Sequence, residues 1–313
     1  SLNMSSSNDP YAVFVPAAVS TLQGEATFNV VFKQKKDLPS GALVSASGGP
    51  YGGTSSPVEV KPAPAKHLLL VLPGETVIPG SATWQSGIPA GKTGPALIDV
   101  TAGKPFNADV YAIDDYYNQV NTDVNRTVTF SSIDGAAGPV SASGPMTSGL
   151  ATLAPALKAG GLKTVSVSDS IRPTGVASLT PDTAANVRVL ADVPSRLQVL
   201  VPGESPAPAT QTGKTASNPV TQTAGQGFDV TANLTDAYWN VVTQGAMPAV
   251  TLTHTDSNVD SWYSATSTPQ FLRTRSGSLV NGTRTFINVA LATAGNSAVF
   301  SALDTTQGQP GKY

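Results

Sequence analysis

Oxygen-bearing side chains recur at matching positions in two segments of this 313-residue sequence. Asp114, Asp115 and Asn118 lie in the segment IDDYYNQV, and Asp236 and Asn240 lie in the segment TDAYWNVV. Ca²⁺ binds roughly six to eight oxygen ligands, several of them from carboxylates. A calcium site formed by these five residues is therefore one hypothesis for the two segments.

The same residue types also favour tight turns. An aspartate accepts hydrogen bonds within its own turn, and an asparagine tolerates the left-handed backbone conformation. The second aspartate of the first segment is replaced by alanine in the second segment, whereas the outer Asp and Asn are retained. We therefore interpret Asp114 with Asn118, and Asp236 with Asn240, as a repeated structural corner, and we expect no cofactor.

The residue types that catalysis requires are scarce in this chain. His67 and His254 are the two histidines, and cysteine is absent. A zinc site needs about three or four such ligands, and a Ser-His-Asp site needs a positioned nucleophile and an oxyanion hole. The sequence contains no G-x-S-x-G motif, and its GKT segments lack the rest of a P-loop. We therefore predict no catalytic residue and do not expect an enzyme.

Aromatic side chains suggest a different kind of site. Trp262 and Tyr263 are adjacent in the longest inserted loop of the chain. Aromatic rings with a polar edge are suited to partly exposed binding surfaces, and they can stack on sugar rings. These two residues are candidate glycan contacts. They support an alternative function, a carbohydrate-binding or accessory region of a larger secreted enzyme.

The chain contains an internal repeat, which explains why the corner occurs twice. Asp114 and Asp236 are 122 residues apart, and several other short segments recur in the same order with similar spacing. Self-similarity of this kind is the signature of tandem structural units. The paired segments are Leu69–Glu75 with Leu197–Glu204, Gly91–Thr93 with Gly213–Thr215, Thr101–Gly103 with Thr223–Gly225, and Val128–Phe130 with Val250–Leu252.

The repeat divides the sequence into three units. Residues 1–62 match only the second half of a repeat and end in a proline-rich linker, whereas residues 63–192 and 193–313 are each a whole repeat. Proline-rich segments of this kind are stiff and extended. We call these ranges the first, second and third units, and we expect the first unit to be incomplete at its N-terminal side.

Hydrophobic alternation indicates the fold class. Phe106–Asp114 and Phe228–Asp236 place apolar residues at every second position, as do several other short runs. Alternation of this period is typical of half-buried antiparallel strands. About seven such strands in a unit of this size, separated by turn residues, predict a β-sandwich. The chain is therefore predicted to be all-β.

The corner also carries a family resemblance. An apolar strand that ends in Asp, followed by a short turn and Asn-x-Val, resembles the D-x-x-G-N-x-V corner of bacterial immunoglobulin-like repeats of the invasin and adhesin type. Tyr117 and Trp239 stand where that pattern has glycine. The resemblance implies tandem immunoglobulin-like sandwich domains in extracellular stalks, adhesins and surface fibres. It implies no catalytic residues.

Composition bears on compartment and partners. The net charge is −2 and only 12% of residues are charged. A basic surface that would bind nucleic acid is not expected, and no apolar run is long enough to span a membrane. Low charge with many Ser, Thr, Ala and Val residues favours a secreted bacterial protein on the cell surface.

We therefore predict a non-catalytic structural or adhesive module. Its expected partners are neighbouring repeats or other copies of itself, together with a surface glycan or a protein receptor. An incomplete first unit would leave strand edges unpaired, and unpaired edges recruit strands from other chains. A filament subunit that is completed by strand donation is a variant of this hypothesis.

Overall fold

A computed structural model describes residues 1–84, 91–122, 125–215, 219–258, 272–295 and 297–306. Strands joined by turns account for nearly all regular structure in these ranges, and a single 3₁₀ turn at Gly135–Ala137 is the one helical element in them. The all-β prediction is confirmed. No helix in the described part of the chain has the length and apolarity needed to cross a membrane.

The strands follow one another along the three units. In chain order they are β1 (Leu2–Ser5), β2 (Val13–Val15), β3 (Ala18–Val19), β4 (Asn29–Val31), β5 (Ser45–Gly48), β6 (Tyr51–Thr54), β7 (His67–Val71), β8 (Thr76–Val77), β9 (Lys92–Thr93), β10 (Ile98–Thr101), β11 (Ala108–Ile113), β12 (Thr127–Ile133), β13 (Pro139–Pro145), β14 (Leu150–Leu153), β15 (Gly161–Ile171), β16 (Asp182–Leu190), β17 (Arg196–Leu200), β18 (Phe228–Thr235), β19 (Ala249–His254), β20 (Thr274–Ser278), β21 (Thr283–Val289) and β22 (Phe300–Asp304).

The second unit is a two-sheet sandwich. One sheet has the order β10-β16-β15-β12-β13, and the other has the order β14-β11-β7. Alternate residues of each sheet point into a shared core: Val110 and Leu70 come from the smaller sheet, and Phe130, Val165 and Val187 come from the larger one. The period-two pattern of the sequence therefore reports burial between two facing sheets.

The third unit repeats most of this arrangement. Its sheets have the orders β17-β18-β21 and β20-β19-β22. The pairing of β17 with β18 reproduces that of β7 with β11, since Leu200 lies opposite Thr231 as Val71 lies opposite Asp109. Within the described residues, the sheet β20-β19-β22 has two strands fewer than the five-stranded sheet of the second unit to which it corresponds.

The first unit differs from the other two in its core. Its strands form a sheet of order β3-β1-β5-β6 and a separate pair, β2-β4. Among its described residues, Ala42 is the one apolar side chain that is buried, while valines and leucines such as Val15 and Leu22 are exposed. The unit thus buries few apolar side chains in comparison with the other two units.

Candidate functional site

The first corner, residues 114–118, closes on the carboxylate of its aspartate. Oδ1 of Asp114 accepts hydrogen bonds from the backbone N–H groups of Tyr116 at 2.8 Å and Asn118 at 3.0 Å. Oδ2 accepts a hydrogen bond from the N–H of Ala63, at the start of the second unit, at 3.1 Å. The amide Nδ2 of Asn118 donates to the same carboxylate. Both carboxylate oxygens of Asp114 therefore serve as hydrogen-bond acceptors.

The second corner, residues 236–240, has the same hydrogen bonds. Oδ1 of Asp236 accepts from the N–H groups of Tyr238 at 2.8 Å and Asn240 at 2.9 Å. Its Oδ2 accepts from the N–H of Asp192, the last residue of the second unit, at 3.0 Å and from Nδ2 of Asn240 at 2.8 Å. Each corner thus fastens the chain segment that enters its unit.

The aromatic residue of each corner adopts the left-handed conformation. Tyr117 has φ 63° and Trp239 has φ 68°, a region that glycine enters at no steric cost. A Cβ atom on Gly91 would lie 2.0 Å from the Tyr117 ring, and one on Gly213 would lie 2.3 Å from the Trp239 ring. The glycine of each GKT segment therefore provides the space that the aromatic ring fills. The corner itself contains no glycine.

The asparagine of the first corner also binds the preceding unit. Nδ2 of Asn118 donates to the carbonyl oxygen of Lys33 at 2.9 Å, and its Oδ1 accepts from the N–H of Lys35 at 2.8 Å. The ammonium of Lys33 lies 5.8 Å from the centre of the Tyr116 ring, within cation–π range. We call this contact a joint, and we call residues 33–35 its acceptor loop.

The second joint repeats the first. Nδ2 of Asn240 donates to the carbonyl oxygen of Lys158 at 2.7 Å, and its Oδ1 accepts from the N–H of Gly160 at 2.6 Å. The Lys158 ammonium lies 5.8 Å from the centre of the Tyr238 ring. The same ring covers Gly103, where a Cβ atom would fall 2.1 Å from it. Residues 158–160 are the acceptor loop of this joint.

A buried aspartate shapes each acceptor loop. Oδ2 of Asp9 accepts a hydrogen bond from the N–H of Lys33 at 2.8 Å. Asp134, which has no solvent exposure, accepts one from the N–H of Lys158 at 2.6 Å and one from the next residue at 2.9 Å. Since these bonds fix the loop backbone, they orient the carbonyl and N–H groups that the asparagine binds.

The third unit has a loop with the same support. Asp256 accepts hydrogen bonds from the N–H groups of Ala292 at 2.7 Å and Thr293 at 2.9 Å. Burial alone would raise the pKa of Asp256, but the hydrogen bonds from Thr293, Asn258 and Ala292 together lower that pKa to about 2. In the described ranges no side chain binds the Ala292 carbonyl or the Ala294 N–H.

The other site predictions have different outcomes. Asp115 points away from the corner and pairs with Lys66 and with Nε2 of His67, the latter at 2.9 Å. The hydrogen bond from Lys66, and then that from His67, lowers the pKa of Asp115. No group of three or more His, Asp or Glu residues that could hold a metal ion occurs in the ranges that the structure describes. Trp262 and Tyr263 lie outside those ranges.

Two repeated motifs gain a structural explanation. Nζ of Lys92, in the GKT segment Gly91–Thr93, lies 2.8 Å from Oε2 of Glu75, the last residue of the repeated segment Leu69–Glu75. Lys214 and Glu204 form the same pair at 2.9 Å in the third unit. Each glutamate also accepts a hydrogen bond from a backbone N–H three residues before it. These contacts fasten a surface segment to its sandwich in both units.

Sequence reasoning identified the corner but missed its partners across the joint. The acceptor loops offer backbone groups, which leave little trace in a sequence. The sequence signal for these loops was Asp134 and Asp256, which are 122 residues apart and follow the corresponding strands β12 and β19 of the two repeats. Both side chains are buried. Asp115 was grouped with Asp114 by adjacency alone, although consecutive side chains at a strand end point in different directions.

Comparison with known proteins adds little. No family model matches the chain, and none of the curated proteins matches it. The apo structure of Bacteroides uniformis beta-glucuronidase 3 aligns with 67% of this chain and 22% of its own at 14% identity and a TM-score of 0.23. The crystal structure of titin domains A168–A170 aligns with 99% of this chain and 90% of its own at 10% identity and a TM-score of 0.22. The chain therefore spans about a fifth of the first of these proteins.

Proposed function

We propose that this chain is a non-catalytic structural module, a stretch of a repeat-built stalk or fibre on a bacterial cell surface. The observation that carries the proposal is the joint, which occurs twice with the same donors and acceptors. A chain whose consecutive units are fixed by one repeated contact is suited to hold a defined orientation between them.

The position of the joint within a unit favours an extended array. The first corner follows the last residue of β11, while Gly103, which contacts the next unit, precedes the first residue of that strand. The two contacts therefore lie beyond opposite ends of this six-residue strand, which is about 17 Å long. The second unit therefore binds its predecessor near one end of a strand and its successor near the other, which is a head-to-tail relation.

The chemistry of the joint also suits a repeated structure. The asparagine binds a carbonyl and an N–H of the main chain, and these groups are present whatever side chains the loop carries. Lys33 and Lys158 offer the same contact even though Lys35 in the first loop is replaced by Gly160 in the second. Acceptor loops can therefore vary in sequence without loss of the joint.

Compartment and partners follow from composition. The chain has a low share of charged residues and many Ser, Thr, Ala and Val residues, which supports an extracellular location in bacteria and fits the resemblance to adhesin repeats. A surface glycan or a protein receptor would then be the target of the complete array. The carbohydrate-binding alternative depends on Trp262 and Tyr263, which the structure does not describe, and it remains a prediction from sequence.

A distance measurement across the second joint tests the proposal. Because the chain lacks cysteine, Ser141→Cys and Ser278→Cys introduce a unique pair of spin labels at exposed sites of the second and third units. Double electron–electron resonance should give a narrow distance distribution. Asn240→Ala should broaden it, because both hydrogen bonds to the acceptor loop are lost.

Thr243→Ala is the matched control, since Thr243 is exposed and lies three residues beyond the corner. It should leave the distribution unchanged. A broad distribution in the unmodified chain, or no change in Asn240→Ala, would contradict a fixed joint and with it the proposed stalk.

A further inference from the structure

The strand β13 (Pro139–Pro145) forms one edge of the five-stranded sheet of the second unit, and β12 is its one strand neighbour among the described residues. An open edge presents backbone N–H and C=O groups with which another strand can pair. Charged residues that would hinder such pairing are absent from Pro139–Pro145, whereas the corresponding strand β20 of the third unit contains Arg275. The second unit therefore has an edge that is open to pairing.

The ladder between β12 and β13 shows which backbone groups of β13 face outward. Just beyond the strand, the N–H of Met146 donates to the carbonyl of Arg126 at 2.7 Å. Alternate residues of an antiparallel strand direct both of their backbone groups to the same neighbour, so the even-numbered residues of β13 pair with β12. The odd-numbered residues, which include Pro139 and Pro145, face the open edge. Proline has no N–H to donate, and this is the side on which a strand tolerates it.

The open edge therefore offers a small and specific set of groups. The backbone N–H groups of Ser141 and Ser143 are directed outward, and no acceptor for them lies in the part of the chain that the structure describes. Both serines are exposed. The prolines on either side of them offer a carbonyl but no N–H. A partner strand therefore meets N–H donors at these two positions.

The sequence of β13 is nearly symmetric about its centre. From either end it has a proline, then a valine or a glycine, then a serine, and then the central Ala142. An antiparallel copy centred on Ala142 would place Ser141 opposite the Ser143 of the other copy, and each proline opposite a proline. Both serine pairs would then exchange two backbone hydrogen bonds. Every outward N–H of the two strands is satisfied in this register, and none is required from a proline.

Side chains on both faces of β13 fit the same arrangement. On the core side, Val140 and Ala142 pack against the core of the second unit but are only partly buried, and a second β13 would cover them further. On the outer side, the hydroxyl of Ser143 lies 2.8 Å from that of Thr129 on β12. A serine of the partner strand would extend this row of hydroxyl groups, and cross-strand hydroxyl pairs stabilise sheets.

We propose that β13 is a docking edge for a second copy of this chain, whose own β13 pairs with it in antiparallel orientation about Ala142. The two five-stranded sheets then form one continuous sheet across a two-fold axis. The self-complementary sequence of the strand is what selects a second copy as the partner. The edge lies within the second unit, so the pairing does not depend on the joints.

The orientation of the pairing indicates where the second copy comes from. β11 runs between the two joints, and the parallel bridge between His67 of β7 and Thr180 shows that strands of the two sheets are nearly aligned. β13 therefore lies along the array, and antiparallel strands relate two arrays that point in opposite directions. Stalks on one cell point the same way, so the partner copy projects from a facing surface. This last step rests on the proposed function, whereas the pairing itself does not.

Cysteine cross-linking of the full chain tests the pairing and its orientation. Ser141→Cys and Ser143→Cys each introduce a single thiol into a chain without cysteine. Opposed residues of a hydrogen-bonded pair lie about 5.5 Å apart at Cα, within the range of a disulfide. Under a mild oxidant, an equal mixture of the two variants should give at least about threefold more covalent dimer than either variant alone, because like positions lie on a longer diagonal. Equal yields would overturn the proposal, since a parallel pair would cross-link each variant with itself.

A proline variant tests the backbone contacts. Ser141→Pro removes an outward N–H and leaves the bonds to β12 intact, since β13 already carries proline at two positions of the same kind. In sedimentation equilibrium it should weaken self-association at least about tenfold, because each pair of copies loses two backbone hydrogen bonds. Ser141→Ala is the matched control. It removes the same hydroxyl but keeps the N–H, and it should associate like the parent chain.

A parent chain that keeps the mass of a monomer at every concentration would overturn the proposal, as would equal association of the proline and alanine variants. The cross-linking result stands even if the proline alters the sheet. Dilution of the doubly spin-labelled chain into excess unlabelled chain removes distances between copies. The distance across the second joint then reports on the stalk alone, so failure of one proposal is distinguishable from failure of the other.

Discussion

The second and third units share their polar fastenings but differ in how far their cores are closed. Both have the Asp–Asn corner, the aspartate-supported acceptor loop and the Lys–Glu pair. Within the residues that the structure describes, the second unit has a five-stranded sheet over its core and the third has a three-stranded one. The hydrogen bonds of the corner and loop are therefore the same beside a five-stranded sheet and beside a three-stranded one.

The layer outside the smaller sheet differs as well. In the second unit Leu69, Trp84 and Tyr117 form an apolar cluster. In the third unit the counterpart of Leu69 is Gln198, which donates to the carbonyl of Gly213 at 2.7 Å and accepts from a neighbouring asparagine. The surface segment outside this sheet is therefore held by apolar contacts in the second unit and by side-chain hydrogen bonds in the third.

The largest expected contrast is between core leucines. Leu68→Ala should lower the free energy of unfolding of the second unit by about 3 kcal/mol, because a fully buried leucine leaves a cavity. Leu197→Ala, at the matching position, should cost the third unit only about 1 kcal/mol because that side chain is partly exposed. Native-state hydrogen exchange would resolve the two units, and equal losses would refute the difference in core closure.

The second largest contrast is expected between the two Lys–Glu pairs. The side chains of Lys92 and Glu75 are 6% and 7% exposed, whereas those of Lys214 and Glu204 are 30% and 12% exposed. Lys92→Met leaves a buried carboxylate unpaired and should destabilise the second unit by about 3 kcal/mol. Lys214→Met should cost about 1 kcal/mol, since water reaches the third-unit pair. Urea denaturation of the two variants, side by side, measures the contrast.

Acid should affect the third unit through Asp256. The pKa of this carboxyl falls from 3.8 to about 2 in the folded state. A depressed folded pKa contributes stability that is present above pH 4 and is lost as the pH falls toward 2, by about 2 kcal/mol. Asp256→Asn should flatten this part of the pH profile. A parent chain whose third unit unfolds at the same urea concentration at pH 4.5 and pH 2.5 would contradict the assignment.

A pair of glycines should give the smallest contrast. Gly103 and Gly225 both have positive φ, so alanine costs each about 1 kcal/mol in backbone strain. Gly103 is covered by the Tyr238 ring of the next unit, whereas no heavy atom lies within 4 Å of the Cβ position at Gly225. Gly103→Ala should therefore also broaden the spin-label distance across the joint, and Gly225→Ala should leave it narrow.

The sequence was sufficient for the fold class and for the corner. Alternating apolar residues at 106–113 and 228–235 predicted strands, and the repeated Asp and Asn predicted the turn between them. The left-handed conformation of Tyr117 and Trp239 was not predictable, since it depends on space provided by Gly91 and Gly213 in another segment. Unit boundaries at 62 and 192 remain predictions.

The rest of the site was hidden for a physical reason. Each joint pairs the side-chain amide of an asparagine with main-chain groups of the acceptor loop. Only the asparagine can be recognised from the sequence, because every residue has main-chain groups. The parallel pairing of β10 with β16 joins segments that are far apart along the chain, and no local pattern encodes it. Periodicity therefore reveals which face a residue presents but not which partner it meets.

The repeated joint also implies a symmetry. When the same donors and acceptors relate the first unit to the second and the second to the third, successive units are related by closely similar rotations and translations. Repetition of one such operation generates a helical path. Its pitch and handedness would be set by a corner of five residues, so a change of a few degrees at each joint would accumulate along a long array into a different superhelix.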